Sequence, residues 1–160
     1  MPMPKEVAGM NIMRTWPESS CTCEKCVKCC ERNTPGWFLP DEVQKVADFL
    51  QMSITQMLGV NMIVEYWYDS NLGQMEVVTP IMTFQIGQVF ARFGDPIGGG
   101  QCIFLKHNRC RIYEVRPFEC RLAHACQGTS FTKGYRVRKS IAWQWRRRKV
   151  NAWKLMGGEA

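Results

Sequence analysis

Apolar positions recur at helical spacing in the first third of the chain. Val43, Val46, Ala47 and Leu50 stand at i, i+3, i+4 and i+7, the stripe of a helix that buries one face. Pro40-Asp41-Glu42 precedes it, with a proline suited to the first helical position and acids facing the positive end of the dipole. Ser53 and Gln56 have capping-box spacing, which predicts a second helix carrying Ile54, Met57 and Leu58. Residues 60–68 mix β-branched and aromatic side chains and fit either helix or strand.

Beyond the turn Asn71-Leu72-Gly73, residues 75–84 read as a strand interrupted by Pro80, tolerated at an edge or bulge. Residues 88–93 suggest another short strand. Residues 102–105 and 110–113 flank the polar stretch 106–109 and predict a hairpin, with Cys102 and Cys110 near its open end. Pro117 then opens a short helix containing Cys120 and Arg121. Ser140 is placed to cap a final helix holding Ile141, Trp145, Lys149 and Trp153. The pattern predicts an α+β fold: two N-terminal helices, short antiparallel strands, irregular cysteine-rich loops and a C-terminal helix. Three segments follow: an extended arm over 1–20, a cysteine-cluster domain over 21–128 and a basic Trp/Arg-rich stretch over 129–160.

Composition changes the picture at one point. The 160 residues include nine cysteines, and 46% of the chain is hydrophobic. The odd count, the adjacent Cys29-Cys30 pair and a first stretch without an apolar signal core weigh against a disulfide framework and point to a reducing, cytoplasmic setting. No apolar run approaches the ~18 residues of a membrane span. The formal charge is +7, but two sites of four thiolates on a dication would lower it to roughly +3.

Cys23, Cys26 and Cys29 place thiols at three-residue intervals, as in the opening of bacterial ferredoxin runs. The ferredoxin fourth ligand would fall on Asn33, so it must come from Cys30 or from afar. The radical-SAM spacing is also missing, because its first cysteine would fall on Thr22. Cys102, Cys110, Cys120 and Cys126 form a looser second set. Zinc and iron–sulfur clusters each ask for four such ligands. The eight thiols fit two sites, or one site with spare thiols.

The run Cys23-Glu-Lys-Cys26-Val-Lys-Cys29-Cys30, then Cys102-Ile-Phe-Leu105, then Cys110-Arg-Ile-Tyr113-Glu-Val-Arg116-Pro117-Phe-Glu-Cys120-Arg121 resembles the YkgJ-type CxxCxxCC family. Its members are described as zinc- or iron-chelating domains, and its distant relatives include flagellin lysine N-methylases. The resemblance covers about Cys23 to Cys126. It implies Cys23, Cys26, Cys29, Cys30, Cys102, Cys110, Cys120 and Cys126 as metal ligands, with an iron–sulfur cluster preferred over Zn2+. The chain departs from the family at Leu122-Ala-His124, where an aromatic-proline pair is common. Cys21 lies outside the motif.

Other residues admit plainer readings. Arg116 and Arg121 either donate to the cluster sulfurs or only cap carbonyls or pair with Glu114 or Glu119. Tyr113 reads as core packing, His107 as a solvent-facing turn residue, and His124 as structural rather than a ligand. The ten methionines fill gaps in apolar stretches and do not make a copper site. Residues 143–154 interleave Trp143, Trp145 and Trp153 with Arg146-Arg147-Arg148. They suit an amphipathic helix first, then single-stranded nucleic acid, an acidic protein or a membrane surface. A redox or methyl-transfer enzyme using the cluster, and a nucleic-acid-binding module with a structural metal, are the alternatives to a metal-binding protein.

Overall fold

The stripe does form a helix, and its first acid is buried. A computed structural model describes residues 36–93, 100–122, 131–148 and 151–158, without the side chains of 121–122 and 131–136. Helix α1 (Glu42–Leu50) buries Val43, Val46 and Ala47 completely. Pro40 falls one residue before the N-cap Asp41, not inside the first turn. Glu42 does more than face the dipole: its Oε1 accepts from the Leu39 N–H at 2.7 Å and the Phe118 N–H at 3.0 Å. The expected capping box forms around α2 (Ile54–Met57). Ser53 Oγ accepts from Gln56 N at 3.2 Å, and Gln56 Oε1 accepts from Ser53 N at 2.9 Å.

The ambiguous stretch becomes strand β1 (Met62–Asp69), the centre of a three-stranded sheet ordered β2-β1-β3. Strand β2 (Gly73–Pro80) pairs with it antiparallel, from Asp69 opposite Gly73 to Met62 opposite Pro80. The turn between them is held by Asp69 Oδ1, which accepts from the N–H groups of Asn71 and Leu72. Pro80 ends the strand and does not interrupt it, so its missing donor costs no ladder bond.

Strand β3 (Phe90–Arg92) adds a parallel pairing to the antiparallel ones, with Val64 opposite Phe90. The direction follows from the route. Pro80 lies beside the start of β1, and Gly87 N donates to Gly59 O at 2.8 Å at that same end. A chain arriving there can only run alongside β1.

The hairpin is real but shorter than expected. Strands β4 (Leu105–Lys106) and β5 (Arg109–Cys110) pair antiparallel, and His107 and Asn108 take φ of 52° and 58°. Two left-handed residues make the tight turn whose twist matches the strands. In this two-pair ladder Lys106 and Arg109 flank the turn, and Cys110 stands opposite Leu105 at the open end. Cys102 instead bridges to Met82, flanked by Thr83 N to Gln101 O and Ile103 N to Ile81 O, each at 2.9 Å.

Helix α3 (Phe118–Leu122) starts directly after Pro117. Helix α4 (Phe131–Arg146) corrects the C-terminal expectation, for Ser140 lies fully buried within it and caps nothing. Val137, Ile141 and Trp145, spaced by four, hold this helix on β2. Trp153 belongs to a separate turn, α5 (Ala152–Leu155), capped by Asn151 Oδ1 on Lys154 N at 2.9 Å. Lys149 lies outside the described residues. Among the described residues no helix is long and apolar enough to cross a membrane.

Candidate metal centre

Cys23, Cys26, Cys29, Cys30 and Cys126 lie outside the described residues, as do Cys21, His124, the arm 1–20 and the side chain of Arg121. Cys102, Cys110, Cys120 and Arg116 are described. Cys102 is buried on the Met82 bridge, while Cys110 and Cys120 are half-buried. Among the described residues no three His, Cys, Asp or Glu side chains converge on a point that could hold a metal. Cys102, Cys110 and Cys120 therefore do not close a site on their own.

Gly36, six positions after Cys30 in the sequence, sits directly over Cys120. A Cβ there would collide with Cys120 Sγ and come within 2.9 Å of the Cys120 backbone nitrogen. Only glycine lets the chain pass so near the thiol. The next residues are pinned on three sides. Trp37 O accepts from Glu119 N at 3.5 Å, Phe38 N donates to Val78 O at 3.0 Å, and Phe38 O accepts from Trp145 Nε1 at 2.7 Å.

Arg116 carries a second signal. It is 9% exposed, lies 4.1 Å over the Tyr113 ring and donates through Nη1 to Tyr113 O at 3.2 Å. Its Nε has no partner, and no carboxylate pairs with it among the described residues. Of the plainer readings, the Nη1 bond to Tyr113 O is the carbonyl contact, and among the described residues Arg116 makes no pair with Glu114 or Glu119; Glu119 is engaged elsewhere. A buried, unpaired cation is costly unless an anion answers it. A thiolate-ligated zinc or iron–sulfur centre carries net negative charge, so the residues present fit such a group.

Glu119 pairs with Arg138, a residue that motif reading missed. Arg138 Nε donates to Glu119 Oε1 at 3.0 Å and Oε2 at 3.1 Å, with Nη2 to Oε1 at 2.9 Å. The guanidinium lies 4.7 Å over the Trp37 ring. Burial works against its charge, but Glu119, Glu65 and the Cys120 thiol outweigh that and raise its pKa. Burial raises the pKa of Glu119 against the opposing pull of Arg138. Glu65 is pushed up to about 7, by burial first, with Arg138 opposing and Glu119 adding. Arg138 stands 18 positions beyond Cys120, and local spacing carries no sign of it. A single cation thus serves two desolvated carboxylates beside a cysteine of the motif.

The family model described as "Putative zinc- or iron-chelating domain" matches residues 22–144. The chain belongs to the CxxCxxCC family. Neither the curated proteins nor the solved structures give a match. The CxxCxxCC match extends past Cys126 and takes in Arg138 and most of α4. The Arg138–Glu119 contact of that helix therefore lies inside the family's own span, whereas Trp145, which donates to Phe38 O, stands one residue beyond it.

The basic segment divides by burial. Trp143 and Trp145 are 4% and 3% exposed, and Trp153 packs on Phe90 with ring centroids 4.6 Å apart. Trp143 and Trp145 are core and do not offer a stacking platform for bases, which corrects that part of the nucleic-acid reading. Arg146, Arg147, Arg148 and Lys154 are exposed. His107 is exposed in its turn, and Tyr113 is half-buried beneath Arg116.

Proposed function

We propose that this CxxCxxCC protein binds a metal centre through Cys23, Cys26, Cys29, Cys30, Cys102, Cys110, Cys120 and Cys126. An iron–sulfur cluster is preferred and Zn2+ is the alternative, in a reducing, cytoplasmic compartment. The observation that carries the reading is Arg116, a buried cation inside the Cys110–Cys120 motif with an orphaned Nε. Gly36 supports it. It brings the chain six positions after the Cys23–Cys30 run against the Cys120 thiol. When bound, the centre supplies either closed structural coordination or one-electron chemistry. Arg116 offsets its negative charge, and Arg138 keeps Glu119 paired beside Cys120.

The test is metal and acid-labile sulfide analysis of protein purified without oxygen, beside Cys110→Ser and Cys120→Ser. Iron and sulfide near about four per chain indicate a cubane cluster, and about one or two zincs indicate closed structural sites. Unchanged metal content in both variants refutes the assignment of these ligands.

A second reading concerns an anionic partner. Arg146, Arg148 and Lys154 line a cleft of about 560 Å3 against Gln74 and Glu76. It suits a phosphate-bearing strand or an acidic peptide held by charge, without base stacking. Retardation of single-stranded DNA at low salt, lost on replacing Arg146, Arg147 and Arg148 by serine, supports the nucleic-acid form.

A further inference from the structure

The outer edge of β2 is open where it meets the cation-lined cleft. Val64 N donates to Val89 O and Phe93 N donates to Tyr66 O, so Val64 and Tyr66 turn their backbone groups toward β3. Direction alternates along a strand, so Glu65 and Trp67 face β2, where they stand opposite Val77 and Met75. Gln74, Glu76 and Val78 therefore turn their N–H and C=O groups away from the sheet. Val78 O is taken by Phe38 N at 3.0 Å, so the protein's own chain already docks on this edge. Two and four residues earlier, at Glu76 and Gln74, the edge has no such backbone partner among the described residues, and both residues line the cleft. An unpaired edge of this kind is a template for another strand.

The groups around that edge select its partner. Arg146, Arg148 and Lys154 line the cleft. Arg146 and Lys154 have no ion pair among the described residues, while Arg148 Nη1 lies 3.0 Å from Asp41 Oδ1, with side chains 45% and 79% exposed. The one lining carboxylate, Glu76, is half-buried and accepts from Gln74 Nε2 at 3.2 Å and from the Trp153 backbone. The cations favour an acidic partner. The edge requires more than charge, because Gln74 and Glu76 each offer a donor and an acceptor. A peptide strand answers both, whereas a phosphodiester carries no N–H for the carbonyls. A second copy of β2 would set the same cations against one another.

We propose that β2 accepts an extended acidic peptide as a further strand in this cleft, through main-chain hydrogen bonds to Gln74 and Glu76 and ion pairs to Arg146, Arg148 and Lys154. About three residues at ~3.3 Å each cover both positions. The proposal rests on the reading of the cleft as a site for an anionic partner and does not depend on a bound metal.

The probe is an acetylated, amidated heptapeptide of alternating glutamate and valine, titrated into the full chain at low salt while amide hydrogen exchange is followed by NMR. Saturable binding should slow exchange at Gln74 and Glu76 at least ten-fold. The same peptide with every backbone nitrogen methylated keeps its charge and should bind at least ten-fold more weakly. Two substitutions separate the edge from the charge. Glu76→Gln removes the carboxylate, keeps the N–H and should bind the peptide at least as tightly as the parent. Glu76→Pro removes both, its N–H lying outside the β1–β2 ladder, and should bind at least five-fold more weakly, whereas charge alone predicts tighter binding in both. Should the proline variant fail to fold, the exchange and methylated-peptide measurements on the parent chain decide. Strand addition is overturned, with the anionic-partner reading left standing, by binding without slowed exchange at Gln74 and Glu76, by undiminished binding of the methylated peptide, by a folded Glu76→Pro chain that matches Glu76→Gln, or by binding of single-stranded DNA alone. Binding of neither peptide nor DNA removes both readings.

Discussion

Replacing Glu42 tests how the helix that precedes the sheet is tied to the helix that carries Cys120. The Glu42 side chain is 5% exposed, and its Oε1 accepts two backbone N–H groups, from Leu39 and from Phe118 at the start of α3. Phe118 N is one of the donors that a helix start leaves without an internal partner. In Glu42→Ala both donors lose this acceptor, the Phe118 N–H in the buried interior and the Leu39 N–H in a half-buried place. Hydrogen bonds to a charged group are worth about 1.5–3 kcal/mol each, so the variant should lose about 3–5 kcal/mol. That is a large share of the ~5–15 kcal/mol typical of a domain. At about 2–4 °C per kcal/mol for a chain of this size, the melting midpoint should fall by about 6–20 °C. Glu42→Gln keeps an acceptor oxygen and loses only the charge, at a cost of about 1–2 kcal/mol. Urea unfolding of the three proteins, as isolated, gives the order directly. Metal retention against a chelator should follow the same order, because Cys120 sits two residues beyond Phe118. An alanine variant within about 1 kcal/mol of the parent, or a glutamine variant as damaged as alanine, refutes the reasoning.

Arg116→Met removes a buried cation that no carboxylate answers among the described residues; we expect the metal-free chain to be as stable as the parent or more so, and chelator competition to show metal held at least ten-fold more weakly. Glu65 has a folded pKa near 7 against an ordinary 4.5, so its protonated form favours folding. That contribution is full below pH 4.5 and lost as the pH rises through 7. Glu65→Gln should therefore stabilise the protein above pH 7, by up to about 3 kcal/mol, and change little below pH 4.5; thermal melts across that range check the sign, and a destabilised variant at pH 8 refutes it. Gly36→Ala drives a methyl group into Cys120 and should cost about 1–3 kcal/mol with a matching drop in bound metal, whereas unchanged metal content would show that the close pass is incidental.

Much of the local structure was legible along the chain because its causes are local. The stripe of α1, the capping box of α2, the Asp69–Gly73 turn and the hairpin turn each depend on residues within a few positions of one another. The cysteine spacing and the Cys110–Arg121 run were enough to place the chain in its family. Other features had no local signature. Residues 60–68 became a strand because β2 and β3 pair with both sides of it, and β3 is parallel because the chain returns to the same end of β1. Trp143 and Trp145 suited an amphipathic helix first and a nucleic-acid surface second, and only their burial, with the Trp145 bond to the Phe38 carbonyl, decided between the two.

The sequence by itself determined the secondary structure wherever caps, turns and periodicity act over one turn of helix or one hairpin, and it determined the family through its cysteines. The tertiary structure alone decided which charges are buried and who answers them: Glu42 on Phe118, Arg138 on Glu119 and Glu65, and Arg116 on no carboxylate among the described residues. These pairs join residues up to 76 positions apart. Their strength comes from exclusion of water, a property of the packed interior that no short window of sequence carries.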